Sequence, residues 1–195
     1  MKNIVLKLVS ILTLLTTSAM AESSPYTFNT SSLVGIEGSY SSFDVENDAT
    51  PVFRDKVNYG GVGLKIGAQT DNYRLFLSAR YNLISGYDYA YLLGAEIQYL
   101  FNFSSFANFY LGVNGGIANL RFEDSLNDTR DVESPYVGGD LGLNFHLGDS
   151  VDFELGGRVM KLTNSISTID ANILKYKFDN IVSGYASIIF KYHMD

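Results

Sequence analysis

Cysteine is absent from the chain. That excludes a disulfide framework, a lipid-attachment cysteine and cysteine-ligated zinc. Tryptophan is also absent, and proline occurs only three times. Histidine occurs twice, as His146 and His193. Neither has a second histidine at metal-ligand spacing, so no metal or other cofactor is expected. Basic charge is scarce, with 14 Lys and Arg against 21 Asp and Glu and a net charge of −7. An acidic chain does not suit a nucleic-acid partner or a polybasic headgroup-binding role, because both need a basic surface. Beyond the first 21 residues, no apolar run reaches the roughly 18 residues of a membrane helix.

The chain begins with an export pattern. Lys2 and Lys7 form a positive region, residues 8–15 are apolar, and Ala19-Met20-Ala21 supplies a small-residue cleavage site. This reads as a cleaved signal peptide over 1–21 and a single mature domain over 22–195. Its apolar core is too short for a spanning helix. Removing its two lysines takes the formal charge from −7 to −7 − 2 = −9.

Glycine (18 residues), tyrosine (14) and phenylalanine (13) are abundant, which favours strands over a helical bundle. The dominant pattern is alternation with period two. In the stretch YLLGAEIQYLF, Tyr91, Leu93, Ala95, Ile97, Tyr99 and Phe101 share one parity. Leu92, Gly94, Glu96, Gln98 and Leu100 share the other. In a strand these two sets face opposite sides of the sheet. The same split recurs seven more times, around residues 34–41, 62–69, 73–82, 109–117, 136–147, 151–159 and 182–192. Eight strands long enough to cross a membrane are expected. Short connections fall at 70–72, 102–105 and 148–150. Longer polar ones fall at 44–56, 121–134 and 161–175, with a shorter member near 84–88. Alternating turn lengths of this kind mark an outer-membrane barrel with both termini in the periplasm.

A soluble sandwich or lipocalin-like barrel is also built from alternating strands. Here, however, one parity is nearly free of charge in all eight segments, while the other mixes glycine with charge. Aromatics gather at strand ends: Tyr40, Phe43, Tyr73, Tyr81, Tyr99, Phe101, Phe145, Phe190 and Tyr192. Two interfacial girdles account for them, and a soluble exterior does not. The expected fold is all-β: a closed eight-stranded antiparallel up-and-down transmembrane β-barrel.

With its signal peptide, eight alternating strands and terminal segment YASIIFKYHMD, the chain resembles the small outer-membrane β-barrels, the group of the OmpA transmembrane domain and OmpX. That resemblance implies an outer-membrane location and recognition of the last strand by the barrel-assembly machinery. Ile188, Phe190 and Tyr192 match the family's terminal alternation. His193-Met194-Asp195 depart from it, because members usually stop at the aromatic.

An eight-stranded barrel has an interior just wide enough for side chains to fill. The inward parity carries the acids Glu37, Glu96, Asp140, Asp152 and Glu154. It also carries the bases Lys65, Arg74, Arg80, Arg158 and Lys191. Equal numbers of both signs in so small a space predict a self-neutralising structural network, with Glu96 paired to Arg80 or Lys65. Inward glycines, among them Gly94, Gly112, Gly142 and Gly156, leave room for the long side chains. The rival for the same charges is a selectivity filter.

Candidate chemistry elsewhere is thin. Asp44, Glu46 and Asp48 alternate like the start of a calcium loop, but Ala49 stands where an EF-hand needs glycine. Acids at 123, 124, 128, 131 and 133 make one long connection acidic and suit divalent cations bridging lipopolysaccharide phosphates. No strand end shows the Ser and His pattern expected of a lipid A-modifying enzyme. The sequence therefore points to a non-enzymatic envelope or surface-interaction role, in which the outer loops meet lipopolysaccharide or a host ligand. A narrow channel is the alternative, and a lipid A-modifying enzyme the third.

Overall fold

A computed structural model of the chain describes residues 30–47, 53–84, 87–123, 129–163, 166–169, 174–178 and 180–193. The export pattern over 1–21 lies outside the described residues, as do Asp48, Asp124 and Asp128. The strands are β1 (Ser31–Asn47), β2 (Phe53–Gln69), β3 (Tyr73–Ile84), β4 (Tyr87–Asn102), β5 (Ala107–Glu123), β6 (Thr129–His146), β7 (Val151–Leu162), β8 (Ile166–Ile169), β9 (Leu174–Phe178) and β10 (Ile181–His193).

Each long strand pairs antiparallel with its neighbour from β1 to β7, β7 pairs with β10, and β10 returns to β1. The closing ladder runs from Ser31↔His193 to Ser42↔Val182. The result is a closed eight-stranded antiparallel barrel. Closure gives every wall strand two partners, which the backbone requires in a medium that offers no hydrogen bonds. β8 and β9 form a small extra hairpin above the ring, and β9 joins the end of β1 at Val45↔Phe178.

This hairpin differs from the sequence expectation, which left 161–175 as a loop. The other long connections are also shorter than the polarity implied. The β1–β2 ladder continues to Asn47↔Phe53, and the β5–β6 ladder to Glu123↔Thr129. Polar side chains mark where strands leave an apolar medium. They do not end backbone pairing, which continues outside it.

The outward face is apolar and open. Ile36, Leu64, Val113, Leu141, Leu155 and Ile188 are all exposed. Each large apolar side chain left in water forgoes roughly 1.5–3 kcal/mol, so a face composed of them needs lipid. Aromatics flank this band. Near the short turns Tyr73 meets Tyr99 at 5.1 Å, Tyr99 meets Phe101 at 4.7 Å, and Phe101 meets Phe109 at 5.8 Å. Phe103 and Phe106 extend the same belt from the turn itself. Toward the long hairpins Tyr81, Tyr89 and Tyr91 stack at 5.9 and 6.3 Å, with Arg121 over the Tyr89 ring. Phe43 is a correction. It is buried at 3% exposure and packs edge-on against Tyr59 inside the barrel, not in a girdle. The reason is parity: odd positions of β1, including Glu37 and Phe43, face inward.

Candidate functional site in the barrel lumen

The strand pleat delivers one inward side chain every second residue, and the barrel turns those side chains toward a common axis. Glu37 comes from β1, Lys65 from β2, Arg74 and Arg80 from β3, and Glu96 from β4. Asp140 comes from β6, and Glu154 and Arg158 from β7. All eight are buried, as is Asp152.

Glu37 is the hub. It receives Lys65 Nζ at 2.8 Å and Arg80 Nε at 2.8 Å, and Arg158 binds both its oxygens at 3.1 and 3.2 Å. Glu96 is held by Arg80 Nη2 and lies 3.4 Å from Arg158 Nη2 and 3.8 Å from Lys65 Nζ. Lys65 also reaches Glu154 at 2.9 Å. Glu154 in turn meets Arg74 Nη1 at 3.1 Å, and Arg74 Nη2 continues to Asp152 at 3.1 Å. At the short-turn mouth, Asp152 accepts from Lys191 at 2.7 Å and from Asn144 at 2.9 Å. A lone buried charge costs several kcal/mol, whereas multiply bonded carboxylate–guanidinium sets offset most of that penalty. Asp140 stands apart from this chain of ion pairs. Its carboxylate accepts from two amides, Gln98 Nε2 at 2.9 Å and Asn114 Nδ2 at 3.0 Å.

Aromatic rings complete the filling. Arg158 lies 4.3 Å and Lys65 4.7 Å from the centre of the Tyr185 ring, and Lys65 is also over Phe76. Such cation–π contacts strengthen when desolvated. Tyr185 and Tyr110 share a hydroxyl bond of 2.8 Å. Glycine makes the space for them. A Cβ at Gly156 would overlap the Tyr110 hydroxyl and approach Tyr185 Cζ at 2.7 Å, and one at Gly94 would overlap the Tyr136 hydroxyl. The sequence reading did not single out Tyr110, Tyr185 and Phe76 as partners of the charges. Their inward parity beside inward glycines was the available signal.

The lumen changes character along its axis. Toward the long hairpins it is closed by Phe43, Tyr59, Leu92, Met160, Leu162 and Ile181, with Ser41 and Ser183 bonded at 2.7 Å. His146 pairs with Asp152 through Nδ1 at 2.8 Å, while its Nε2 faces Asn108 Nδ2 at 3.3 Å. A hydrolytic triad would place a serine hydroxyl where that amide stands. Among the described residues no group of three or more His, Cys, Asp or Glu is arranged to hold a metal.

A lipid-facing closed barrel with a packed polar interior defines the class: a small eight-stranded membrane β-barrel. Solved structures of that class share the fold. Neisserial surface protein A superposes with a TM-score of 0.53 at 14% identity, covering 82% of this chain and 97% of its own. OprG from Pseudomonas aeruginosa gives 0.53 at 14%, covering 86% and 99%. The N-terminal β-barrel domain of Pseudomonas aeruginosa OprF gives 0.51 at 11%, covering 80% and 97%. The chain thus has the fold of the small outer-membrane β-barrels. No family model and no curated protein matches it.

Proposed function

We propose that the protein is a non-enzymatic outer-membrane barrel whose lumen is a structural plug and whose working surface is its long-hairpin end. The observation that carries this reading is the interlocked set around Glu37, Lys65, Arg80, Glu96 and Arg158. It crosses the axis of an already narrow barrel. A permanently filled lumen favours an envelope-stabilising or surface-interaction role over solute passage. The fold shared with outer-membrane proteins supports that location. On this reading lipopolysaccharide and membrane lipid surround the wall, both termini face the periplasm, and the assembly machinery reads the last strand.

The rim supports the same reading. The β6–β7 ladder ends at Tyr136↔Leu162, so β6 over residues 129–133 pairs only with β5, and β8 pairs only with β9. These edges, and that of β2 over residues 53–58, whose ladder with β3 ends at Tyr59↔Ile84, are left without a ladder partner among the described residues, on the side away from the short turns. Edges of this kind readily accept another chain.

The test combines one measurement on the purified barrel with one on cells that display it. Planar-bilayer recording should show no steady conductance. Exchange of residues 124–128 and 163–180 should abolish binding of intact cells to host-matrix ligands while leaving heat-modifiable gel migration intact. Steady conductance in the parent protein defeats the plug. Unchanged binding after exchange defeats the surface role.

A further inference from the structure

The two aromatic girdles are built differently. At the short-turn end the rings pack edge-on, with interplanar angles of 78° for Tyr73–Tyr99 and 70° for Tyr99–Phe101. At the long-hairpin end Tyr89 lies within 24° of parallel to Tyr81 and within 22° of parallel to Tyr91, so the ring faces turn the same way. Tyr81 stands opposite Tyr91 in the β3–β4 ladder, and Tyr89 opposite Arg121 in the β4–β5 ladder. The register of β4 shifts between Tyr87 and Tyr89. Irregularities of this kind re-aim side chains, and Tyr89 is the ring that touches both others. Tyr81 remains 45% exposed. Arg121 lies 5.1 Å from the centre of the Tyr89 ring, and among the described residues no other outward ring has a cation over it.

We infer that Tyr81, Tyr89, Tyr91 and Arg121 form a seat for the sugar ring of a glycolipid headgroup. A pyranose presents a face of weakly positive C–H groups, and the face of a tyrosine ring is the negative side of its quadrupole. Near-parallel rings offer that face over a wider area than edge-on rings do. Arg121 adds N–H donors beside the rings for sugar hydroxyl and ring oxygens. Charge alone does not select the occupant. Asp131 stands opposite Arg121 in the β5–β6 ladder, and Glu133 follows two residues on, so an anionic group without a sugar gains little here. Depth selects the source. Ala79 and Leu93, two residues farther along the same strands, belong to the lipid-facing parity, and tyrosines at such a boundary sit at headgroup level. A headgroup tethered to that wall by its acyl chains is held beside the rings, whereas a free sugar must be recruited from water. The seat rests on the membrane reading of the outward face, and it does not depend on the plug.

The experiment is native mass spectrometry of the refolded barrel, released from sugar-free detergent micelles doped equally with a diglucosyl diacylglycerol and a phosphatidylglycerol of the same acyl chains. The parent should retain the glycolipid about tenfold over the phosphatidylglycerol. Tyr81→Leu combined with Tyr89→Leu keeps apolar bulk, removes two ring faces and should abolish the preference. Arg121→Gln should lower it less. Tyr73→Leu combined with Tyr99→Leu, at the other girdle, should leave it unchanged. Equal retention of the two lipids by the parent overturns the seat, and that reading needs no variant to fold. An equal loss from changes at either girdle also overturns it, because the two would then be alike. Displacement of the glycolipid by free maltose overturns the headgroup as the source. A parent that retains neither lipid and shows no heat-modifiable migration overturns instead the membrane reading beneath the seat.

Discussion

The two faces of the same strands obey opposite rules. Along β4, Ile97 and Tyr99 are exposed, while Glu96 and Gln98 between and before them are fully buried. In a water-soluble barrel the apolar set would be hidden and the charged set exposed. Here the inner face must meet its charges within the protein, while the apolar band of the outer face, typified by Ile36, Leu64, Val113 and Leu141, carries no charge to satisfy. The inner face is consequently specific and pairwise, whereas the outer face is generic and tolerates exchange among apolar side chains.

That contrast can be broken most severely from inside. Glu37→Leu removes the carboxylate shared by Lys65, Arg80 and Arg158. Stranding buried cations should lower unfolding free energy by about 3–5 kcal/mol in a urea titration followed by circular dichroism. Breaking the outer rule comes next. Val113→Arg places a charge in the lipid-facing band and should cost about 2–4 kcal/mol if it lies near the midplane, whereas Val113→Leu should leave the midpoint nearly unchanged. Third, Gly156→Ala forces a methyl group onto the Tyr110 hydroxyl. An overpacking loss of about 1–3 kcal/mol should follow, and Tyr110→Phe in the same chain should recover part of it. The smallest effect is expected at the girdle. Tyr73→Leu keeps apolar area but loses the ring contact with Tyr99, worth about 0.5–1.5 kcal/mol. If the girdle variant matched Glu37→Leu in severity, the contrast between the faces would fail.

Much of this architecture was legible because strand periodicity is local. The alternation in 91–101 assigns Glu96 to the lumen before any partner is known, and the barrel places it there. Phe43 shows how the rule can be misapplied. Its position near a strand end suggested a girdle, but its parity with Glu37 determines its direction. The hairpin of β8 and β9 was hidden for a different reason. Its polar surroundings resemble a loop, and its pairing with β1 joins residues far apart in the chain. In the lumen, the sequence supplied the set of charges and left Glu96 two possible partners, Arg80 or Lys65; in the structure Arg80 holds it and Lys65 lies 3.8 Å away. The sequence did not distinguish Asp140 from the other acids, because every acid on the inward parity looks alike in a list.

By itself, then, the sequence determined the two faces, the number of wall strands and the sign balance of the interior. Each of these follows from side-chain alternation along one strand. Only the tertiary structure decided which charges meet. Ring closure sets β10 against β1, and the stagger of the strands brings Arg158 of β7 onto Glu37 of β1 while leaving Asp140 of β6 among amides. Contacts across the lumen depend on that closure and stagger, which no local pattern encodes.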